Sequence, residues 1–329
     1  MEDIGCIFCG TESSSQAIIE EKGYTGRKCA RCGLIYVSPR PSRHEIADLY
    51  GHDAAHITAD SHISAEVFKR LYARHHLRIL SSVATGGTLL EIGAGAGYFL
   101  DEARRWGFEP YGIELNPLQA AFIRDTFGIP CEVAPLSAST FGQRKFDIVY
   151  HCDVVSHFFD PIAEFQNMAA ILKDGGVLVF ETGNLAEVDL PYLRRLSKFQ
   201  YPDHLFFFGT DHLRRLLEPA GFTIQSIQRY AILPQLWVTR LAAKAKSLLS
   251  KPPQGSASVT TAARTAGRQA SLKSGHPGSI ARRAIQWTWA YSNYVLRYKV
   301  GSIAPKKHRP QTIIVVARKT RETGTIAGG

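Results

Sequence analysis

Apolar segments and amphipathic segments alternate along the middle of the chain, and this order constrains the fold more than any other feature. The apolar segments include GTLLEIG, EPYGIEL, KFDIVYHC and GVLVFET, and helical segments such as NPLQAAFIRDTFG stand between them. Short apolar runs of this kind are typical of strands that are buried on both faces. The alternation predicts an α/β fold, with a mostly parallel sheet that is covered by helices on both sides. Ligands then bind at the carboxyl ends of the strands, near the point where the strand order reverses.

A glycine loop, LLEIGAGAGYFL at residues 89–100, follows the first of these strands. The dinucleotide pattern GxGxxG needs its third glycine where the helix packs closely on the strand. Gly93 and Gly95 fit this pattern, but Tyr98 occupies the third position. Glu91 precedes the loop, where its carboxylate would repel a pyrophosphate and attract a cation. The loop therefore argues against NAD and favours a cofactor that carries a positive charge.

The segment LLEIGAGAGYFL resembles the glycine motif of class I S-adenosylmethionine-dependent methyltransferases. The segments that follow it are similar to that family in their order: YGIEL, FDIVYHCDVVSHFFDP, LKDGGVLVFET and LRRLLEPAGFTI. The resemblance covers roughly residues 85–230 and the final strand QTIIVVARK, and it is nearest to O-methyltransferases of the ubiquinone-biosynthesis type. It implies a doubly wound, Rossmann-like sheet of seven strands, with S-adenosylmethionine as the methyl donor.

The resemblance also implies a cofactor site, residue by residue. Glu91 would face the ammonium end of the methionine part, directly or through water, and Glu114 would accept both ribose hydroxyls. The usual acidic residue after the third strand is missing, because residues 134–136 are Ala, Pro and Leu. Backbone groups alone are therefore expected to hold the adenine. The complete set of expected cofactor-binding residues is Glu91, Gly93, Ala94, Gly95, Gly97, Glu114, Leu115, Leu136, Cys152 and Asp153.

Two histidines occur where the family places residues on the acceptor side. His157 follows the fourth strand in VVSHFFDP, and His204 lies in YPDHLFFFGT. Histidine titrates near neutral pH and can remove a proton from a sugar or phenol hydroxyl. The alternative for each histidine is that it caps a helix or orients a loop. The expected acceptor is a small molecule, a sugar or a glycan-related compound, and the sequence does not identify it.

Four of the six cysteines form two CxxC pairs near the start of the chain, Cys6 with Cys9 and Cys29 with Cys32. This spacing predicts a four-thiolate zinc ribbon, in which a structural Zn²⁺ holds a module too small for its own core. Iron in the same cage and a redox pair are the alternatives. We expect a cytoplasmic protein, because the chain opens without an apolar leader and has no apolar run of membrane-spanning length.

The patterns predict four parts: a zinc ribbon at 1–40, a helical linker or lid at 41–83, the methyltransferase domain at 84–230 with 311–320, and an insertion at 231–310. The insertion combines two basic, aromatic helices with a flexible linker rich in Ser, Ala, Gly and Pro. These helices are expected to pack on the sheet domain as a lid. The alternative is that they rest on an anionic membrane near a lipid-linked substrate.

The formal charge of +10 and the pI of about 9.3 favour an anionic partner. Nucleic acid is the least favoured partner, because the basic residues are scattered and no nucleic-acid module is recognisable. Two further hypotheses stay open beside the small-molecule enzyme. One is an RNA methyltransferase, and the other is a non-catalytic binding protein that retains the fold.

Overall fold

The computed structural model describes residues 1–11, 13–51, 58–194, 199–249, 277–303 and 305–321. Strands and helices in these ranges are numbered in chain order. The strands are β1 (Ser15–Glu21), β2 (Tyr24–Cys29), β3 (Ile35–Val37), β4 (Gly87–Ile92), β5 (Phe108–Ile113), β6 (Cys131–Glu132), β7 (Phe146–Cys152), β8 (Leu172–Gly183), β9 (Phe206–Phe207), β10 (Phe222–Ala231) and β11 (Gln311–Lys319). The helices are α1 (Arg43–Gly51), α2 (Ala59–Ser64), α3 (Glu66–Leu80), α4 (Tyr98–Arg105), α5 (Pro117–Phe127), α6 (Pro161–Ile171), α7 (Leu190–Leu193), α8 (Thr210–Leu217), α9 (Leu233–Leu249) and α10 (Pro277–Tyr294).

A seven-stranded sheet forms the centre of the molecule, in the order β10-β11-β8-β7-β4-β5-β6. Strands β4 to β8 run parallel to one another, whereas β11 runs antiparallel to both of its neighbours, β8 and β10. The predicted α/β fold with a doubly wound, mostly parallel sheet of seven strands is confirmed. The chain leaves β4 toward β5 and β6 and then returns to β7 on the other side. The strand order therefore reverses between β4 and β7, and a ligand is expected at their carboxyl ends.

The central strands are buried on both faces because their sequences are almost continuously apolar. Leu89 and Leu90 of β4 are both 0% exposed, and successive side chains of a strand point to opposite faces. Leu89 belongs to the apolar layer that contains Leu77 of α3, and Leu90 to the layer that contains Phe165 of α6. Full burial of each such side chain contributes about 1.5–3 kcal/mol, so the two layers fix the sheet between its helices.

The cysteine-containing segment shares a sheet with the rest of the protein. Strands β1, β2 and β3 form an antiparallel sheet, and β9 completes it, in the order β1-β2-β3-β9. Ile35 pairs with Phe207 and Tyr36 pairs with Phe206, and Val37 N–H donates to the Leu205 carbonyl oxygen at 3.0 Å. The segment is therefore continuous with the part of the chain that follows His204.

Part of the insertion packs beside α3. Gln235 of α9 donates from Nε2 to Tyr72 Oη at 3.3 Å and to Asn293 Oδ1 of α10 at 3.1 Å. A π-helical turn at residues 295–300 continues α10 and buries Tyr298, which is 1% exposed. Residues 250–276, most of the predicted linker, lie outside the described residues. Among the helices that the structure describes, none has the length and apolarity needed to cross a bilayer.

Candidate active site

The glycine loop between β4 and α4 adopts a backbone that only glycine accepts easily. Gly97 has φ of +72°, and a Cβ atom there would lie 2.6 Å from Cγ1 of Ile123. Gly95 has φ of +56°, and its Cβ atom would lie 2.8 Å from Nδ1 of His62. Side chains are therefore excluded at both positions, and the loop presents bare backbone at the carboxyl end of β4.

Tyr98 stands at the position where a dinucleotide-binding loop would need its third glycine. Its side chain is buried, with its ring edge-on to Phe122 and Phe127. Its hydroxyl donates to the Ile63 carbonyl oxygen at 2.7 Å, which ties α2 to the start of α4. A large side chain is thus part of the packing here, so the structure differs from a dinucleotide-binding loop at this point.

Glu114 directly follows β5 and reaches across to the glycine loop. Its Oε2 accepts a hydrogen bond from Gly95 N–H at 2.7 Å, and its Oε1 accepts one from Asn116 N–H at 2.9 Å. The residue is 8% exposed, and burial raises the pKa of the carboxyl group although these N–H groups oppose the shift. Each oxygen keeps a second lone pair, so the carboxylate can still accept two hydroxyls.

Glu91 lies near the end of β4 and is 4% exposed. Its Oε2 has no hydrogen-bond partner among the described residues. Burial raises the pKa of this carboxyl well above its usual range, the charge of Lys69 opposes the shift, and the charge of Glu114 adds to it. A buried polar atom without a partner is costly, and a cation bound beside it would relieve that cost.

Strand β7 ends at Cys152, beside these acids. Cys152 is in register with Glu181 of β8, and the next residue, Asp153, donates from its N–H to the Glu181 carbonyl oxygen at 2.9 Å. Asp153 has φ of +56° and its side chain remains exposed. The carboxyl ends of β4, β5 and β7 therefore carry Glu91, Glu114 and Asp153 along one edge of the sheet.

The other expected cofactor-binding residues differ in accessibility. Ala94 N–H donates to the Ile113 carbonyl oxygen at 3.1 Å, which holds the loop against β5. Leu115 is 38% exposed directly after Glu114, so its side chain is accessible. Leu136 is 4% exposed and packs in the apolar core, so its side chain is directed away from solvent.

His157 and His204 come together, although they lie far apart in the sequence. Their ring centroids are 4.3 Å apart and the rings are perpendicular. The Leu205 N–H donates to the Ser156 carbonyl oxygen at 2.7 Å, so the two segments are joined by backbone next to the histidines. His157 Nδ1 lies 3.0 Å from the Asp203 carbonyl oxygen. The sequence predicted each histidine separately, and the fold brings the two into contact.

Tyr50 of α1 is a third member of this cluster, and no pattern in the sequence predicted it. Its hydroxyl lies 2.7 Å from His157 Nδ1. Burial raises the pKa of the Tyr50 phenol, and the charges of Asp203 and Glu114 add to the shift. Tyr50 therefore stays protonated, and it contacts His157 while it feels the charge of the acid expected to bind ribose.

A second unpredicted cluster surrounds Glu181, close to the end of β8. Glu181 is 0% exposed, and its Oε2 accepts from Tyr298 Oη at 2.7 Å and from His76 Nε2 at 2.8 Å. Its Oε1 forms an ion pair with Arg297. Burial alone would raise the pKa of Glu181, but the charges of Arg297 and His76 lower it to about 2. An acidic residue at the end of the apolar run VLVFE was the signal for this cluster.

His76, Cys152 and Glu181 are also close enough to one another to ligate a metal ion. Arg297 already occupies one oxygen of Glu181, however, and hydrogen bonds occupy the other. A cation would have to compete with a buried guanidinium, so we interpret the cluster as an ion-pair network. His76 thus has a packing role, and the network connects α3, β8 and the π-helical turn of the insertion.

The four cysteines of the CxxC pairs form a separate cluster. Their Sγ atoms all lie within 4.8 Å of one another, and Cys6 Sγ is 3.5 Å from Cys32 Sγ. A tetrahedral zinc with Zn–S bonds of about 2.3 Å would place its sulfur atoms about 3.8 Å apart, so the cluster suits such an ion. His212 of α8 borders the cluster, with Nε2 3.0 Å from the Cys32 carbonyl oxygen.

Comparison with known proteins identifies the family and its fold. Residues 64–227, about half of the chain, match a family model described as a methyltransferase domain. The chain belongs to the class I S-adenosylmethionine-dependent methyltransferases. The matched region of this methyltransferase contains α3, the glycine loop, Glu114 and both histidines, and it ends within β10.

Relatives of this methyltransferase include two ubiquinone biosynthesis O-methyltransferases. The one from Ruegeria sp. is 28% identical over 172 residues, which cover 46% of this chain and 66% of that protein. The one from Psychrobacter arcticus is 30% identical over 171 residues, which cover 46% of this chain and 65% of that protein. This chain therefore spans about two thirds of the length of these relatives.

A solved structure with the same fold is phosphoethanolamine N-methyltransferase 2 from Haemonchus contortus, in complex with S-adenosyl-L-methionine. It superposes with a TM-score of 0.51 and 15% identity, covering 87% of this chain and 62% of that chain. At this identity, the likeness concerns the fold alone.

Proposed function

We propose that this methyltransferase transfers a methyl group from S-adenosylmethionine to a hydroxyl of a small molecule, a sugar or a glycan-related compound. The observation that carries the proposal is the contact between His157 and His204 beside Tyr50. Bound S-adenosylmethionine supplies an electrophilic methyl group on a sulfonium. Alignment in a desolvated pocket is enough for many acceptors, and a base is needed when a hydroxyl must lose its proton. A pair of histidines supplies that base.

The cofactor site in this proposal lies along the carboxyl edge of the sheet. Glu114 accepts the ribose hydroxyls, and Glu91 offers its unpartnered oxygen to the ammonium group. Gly93, Ala94, Gly95 and Gly97 allow the ligand to approach the backbone. Leu115 covers the adenine from the surface, the backbone near Leu136 borders the adenine edge, and Cys152 and Asp153 close the pocket. The buried Glu91 supports this arrangement because it prefers a cation to a phosphate.

In this proposal, the histidine pair removes the proton from the acceptor hydroxyl. The Asp203 carbonyl oxygen next to His157 Nδ1 can only accept a hydrogen bond, so it favours a proton on that nitrogen. His157 Nε2 is then the basic nitrogen. The Tyr50 hydroxyl oxygen can accept from the same Nδ1–H, so both contacts orient the ring, and His204 contacts it edge-on.

We also propose that Cys6, Cys9, Cys29 and Cys32 bind a structural Zn²⁺. The spacing of the four Sγ atoms supports this, and Cys29 ends β2, which ties the cluster to the sheet of β1, β2, β3 and β9. The ion would secure the segment that pairs with β9.

The test of the function uses a radiolabelled methyl donor and a panel of phenols, free sugars and nucleotide-linked sugars. We expect label on a hydroxyl-bearing compound, and His157→Gln and His204→Gln should lower kcat about 10²–10⁴-fold if both act in proton removal. The affinity for S-adenosylmethionine should stay unchanged in both variants. His308→Gln, an exposed histidine, is the control. Full activity of both histidine variants would refute the assignment of the base.

An RNA methyltransferase is the second candidate function, and the formal charge of +10 is the observation that favours it. It predicts label in RNA and an RNA affinity that falls steeply as salt is added. The small-molecule proposal predicts neither result. A lipid-linked acceptor would require contact with a membrane, and the insertion is the segment whose charge suits such contact.

A further inference from the structure

The positive charge of the protein is concentrated in one segment. Residues 231–310 contain 14 Lys and Arg residues and no Asp or Glu. Since the formal charge of the whole chain is +10, the residues outside this segment carry a net charge of −4. Random variation of surface charge would spread the excess over the chain. Its confinement to the insertion indicates an anionic partner for that part of the molecule.

The described part of the insertion also exposes large apolar side chains. Three of the four tryptophans of the protein belong to it, at positions 237, 287 and 289. Single exposed apolar residues are ordinary, but an accumulation of this kind marks a contact surface. The most exposed are Trp237 (68%), Leu241 (64%), Ile285 (70%), Trp287 (52%) and Ile303 (79%). We call these five residues the apolar surface of the insertion.

One side-chain hydrogen bond joins the two helices that carry most of this apolar surface. Gln235 of α9 donates from Nε2 to Asn293 Oδ1 of α10 at 3.1 Å. Trp237 lines a surface depression together with Lys306 and Arg309, so an exposed indole adjoins two basic groups. Exposed aromatic side chains beside basic ones are the pattern expected at the boundary between lipid headgroups and acyl chains.

We infer that the described part of the insertion, namely α9, α10 and residues 305–310, docks on the surface of an anionic phospholipid membrane. Lys and Arg side chains bind acidic headgroups, and indole rings are stable at the interface. The exposed aliphatic side chains favour a membrane over a nucleic acid as the partner. Leu241, Ile285 and Ile303 would gain from burial among acyl chains, whereas a phosphate backbone offers them nothing.

The apolar surface is connected directly to the active site. Helix α10 continues into the π-helical turn, and Arg297 of that turn pairs with Glu181 at the carboxyl edge of the sheet. A membrane bound to α9 and α10 would therefore be linked, through Arg297, to the carboxyl edge of the sheet. This inference rests on the proposed function. Together the two indicate that the substrate class is a hydroxyl compound carried on a lipid.

The experiment uses the full chain and two kinds of vesicle: phosphatidylcholine alone, and phosphatidylcholine mixed with phosphatidylglycerol. We expect sedimentation with the anionic vesicles only, and weaker binding as salt is added. Trp237→Ala combined with Ile285→Ala should weaken vesicle binding about tenfold, because two interfacial side chains are lost. Trp106→Ala is the matched control, since Trp106 is also exposed but lies outside the insertion.

Three outcomes would overturn the inference: no binding to anionic vesicles, equal binding to neutral vesicles, or unchanged binding of the double variant. Tighter binding to polyuridylate RNA than to anionic vesicles would also overturn it, in favour of a nucleic acid. The affinity for S-adenosylmethionine is measured on the same preparations. Intact cofactor binding without vesicle binding would reject the docking surface and leave the proposed activity standing. If the wild-type protein binds anionic vesicles but does not bind S-adenosylmethionine, the proposed activity is rejected and the docking surface stands.

Discussion

At the scale of single residues, Glu91 is the side chain of the proposed cofactor site that favours a cationic ligand. Glu91 combines near-complete burial with an oxygen that has no partner among the described residues. Burial keeps this carboxyl protonated at pH values where an exposed glutamate is charged. A cationic ligand can reverse that state, because its charge stabilises the carboxylate. In the proposed site, binding of a cationic cofactor and release of a proton are therefore linked at one side chain.

We predict that the affinity for S-adenosylmethionine increases as the pH rises through the raised pKa of Glu91. Below that pKa, binding of the ammonium group must displace a proton, and this costs free energy. Calorimetry in buffers of different ionisation enthalpy should detect proton release by the wild-type protein. Glu91→Gln should remove both the release and the pH dependence, and Glu109→Gln, an exposed acid on β5, should keep them. Binding without proton release would contradict the role of Glu91.

At the scale of single elements, β7 places a histidine inside an apolar layer. His151 is 0% exposed, and neither ring nitrogen has a hydrogen-bond partner among the described residues. Its ring stacks on Phe180 of β8 with centroids 4.8 Å apart. Burial lowers the pKa of His151 to about 3, so the folded protein holds it neutral. The residue acts as an aromatic part of the core.

We predict that His151 makes the free energy of unfolding depend on pH. The unfolded chain binds a proton at His151 below pH of about 6.5, and the folded chain does not until the pH approaches 3. Stability from this residue is therefore present at pH 8 and decreases as the pH falls below 6.5. The decrease should reach about 2 kcal/mol at pH 5. Denaturant unfolding at both pH values measures it.

His151→Leu should remove this contribution to the pH dependence, whereas His44→Gln, at a histidine whose side chain is 87% exposed, should leave it in place. Equal pH dependence in the wild-type protein and His151→Leu would show that the buried ring is not held neutral. Other buried histidines keep part of the dependence in every variant, so the comparison rests on the difference between variants.

Local patterns in the sequence predicted the elements well, and they could not predict contacts between distant elements. Apolar runs located the strands of the large sheet, because burial on both faces leaves a local signature. The contact of Tyr50 with His157 and the pairing of Arg297 with Glu181 join segments that are remote along the chain. The side chain of Leu136 is likewise buried by packing that the sequence of its loop does not encode.

At the scale of the whole molecule, the cysteine cluster, the small sheet and the acceptor side form one continuous structure. Strand β3 pairs with β9, and His204 lies just before β9. His212 of α8 contacts the Cys32 carbonyl oxygen and stacks on Phe8. The cysteine segment therefore helps to position His204 through the pairing of β3 with β9. The spacing of the cysteines alone indicated a separate module.

We predict that removal of the proposed Zn²⁺ loosens the segments around His204 more than the strands that carry the proposed cofactor site. Chelation should speed backbone amide exchange at residues 35–37 and 205–207, because the cysteine cluster no longer holds β3 against β9. Exchange in β4 and β5 should change little, and added Zn²⁺ should restore the original rates. If exchange at residues 205–207 is the same with and without metal, the proposed coupling is wrong.

The central claim is that the glycine loop and Glu114 form a site for S-adenosylmethionine. Titration calorimetry with S-adenosylmethionine, on the wild-type protein and on Glu114→Ala, tests it most directly, with Glu109→Ala as the control. We predict saturable one-to-one binding by the wild-type and control proteins, and binding about 10²-fold weaker by Glu114→Ala, because hydrogen bonds to a charged group are lost. No saturable binding by the wild-type protein at millimolar cofactor, or an affinity that Glu114→Ala leaves unchanged, would contradict the claim.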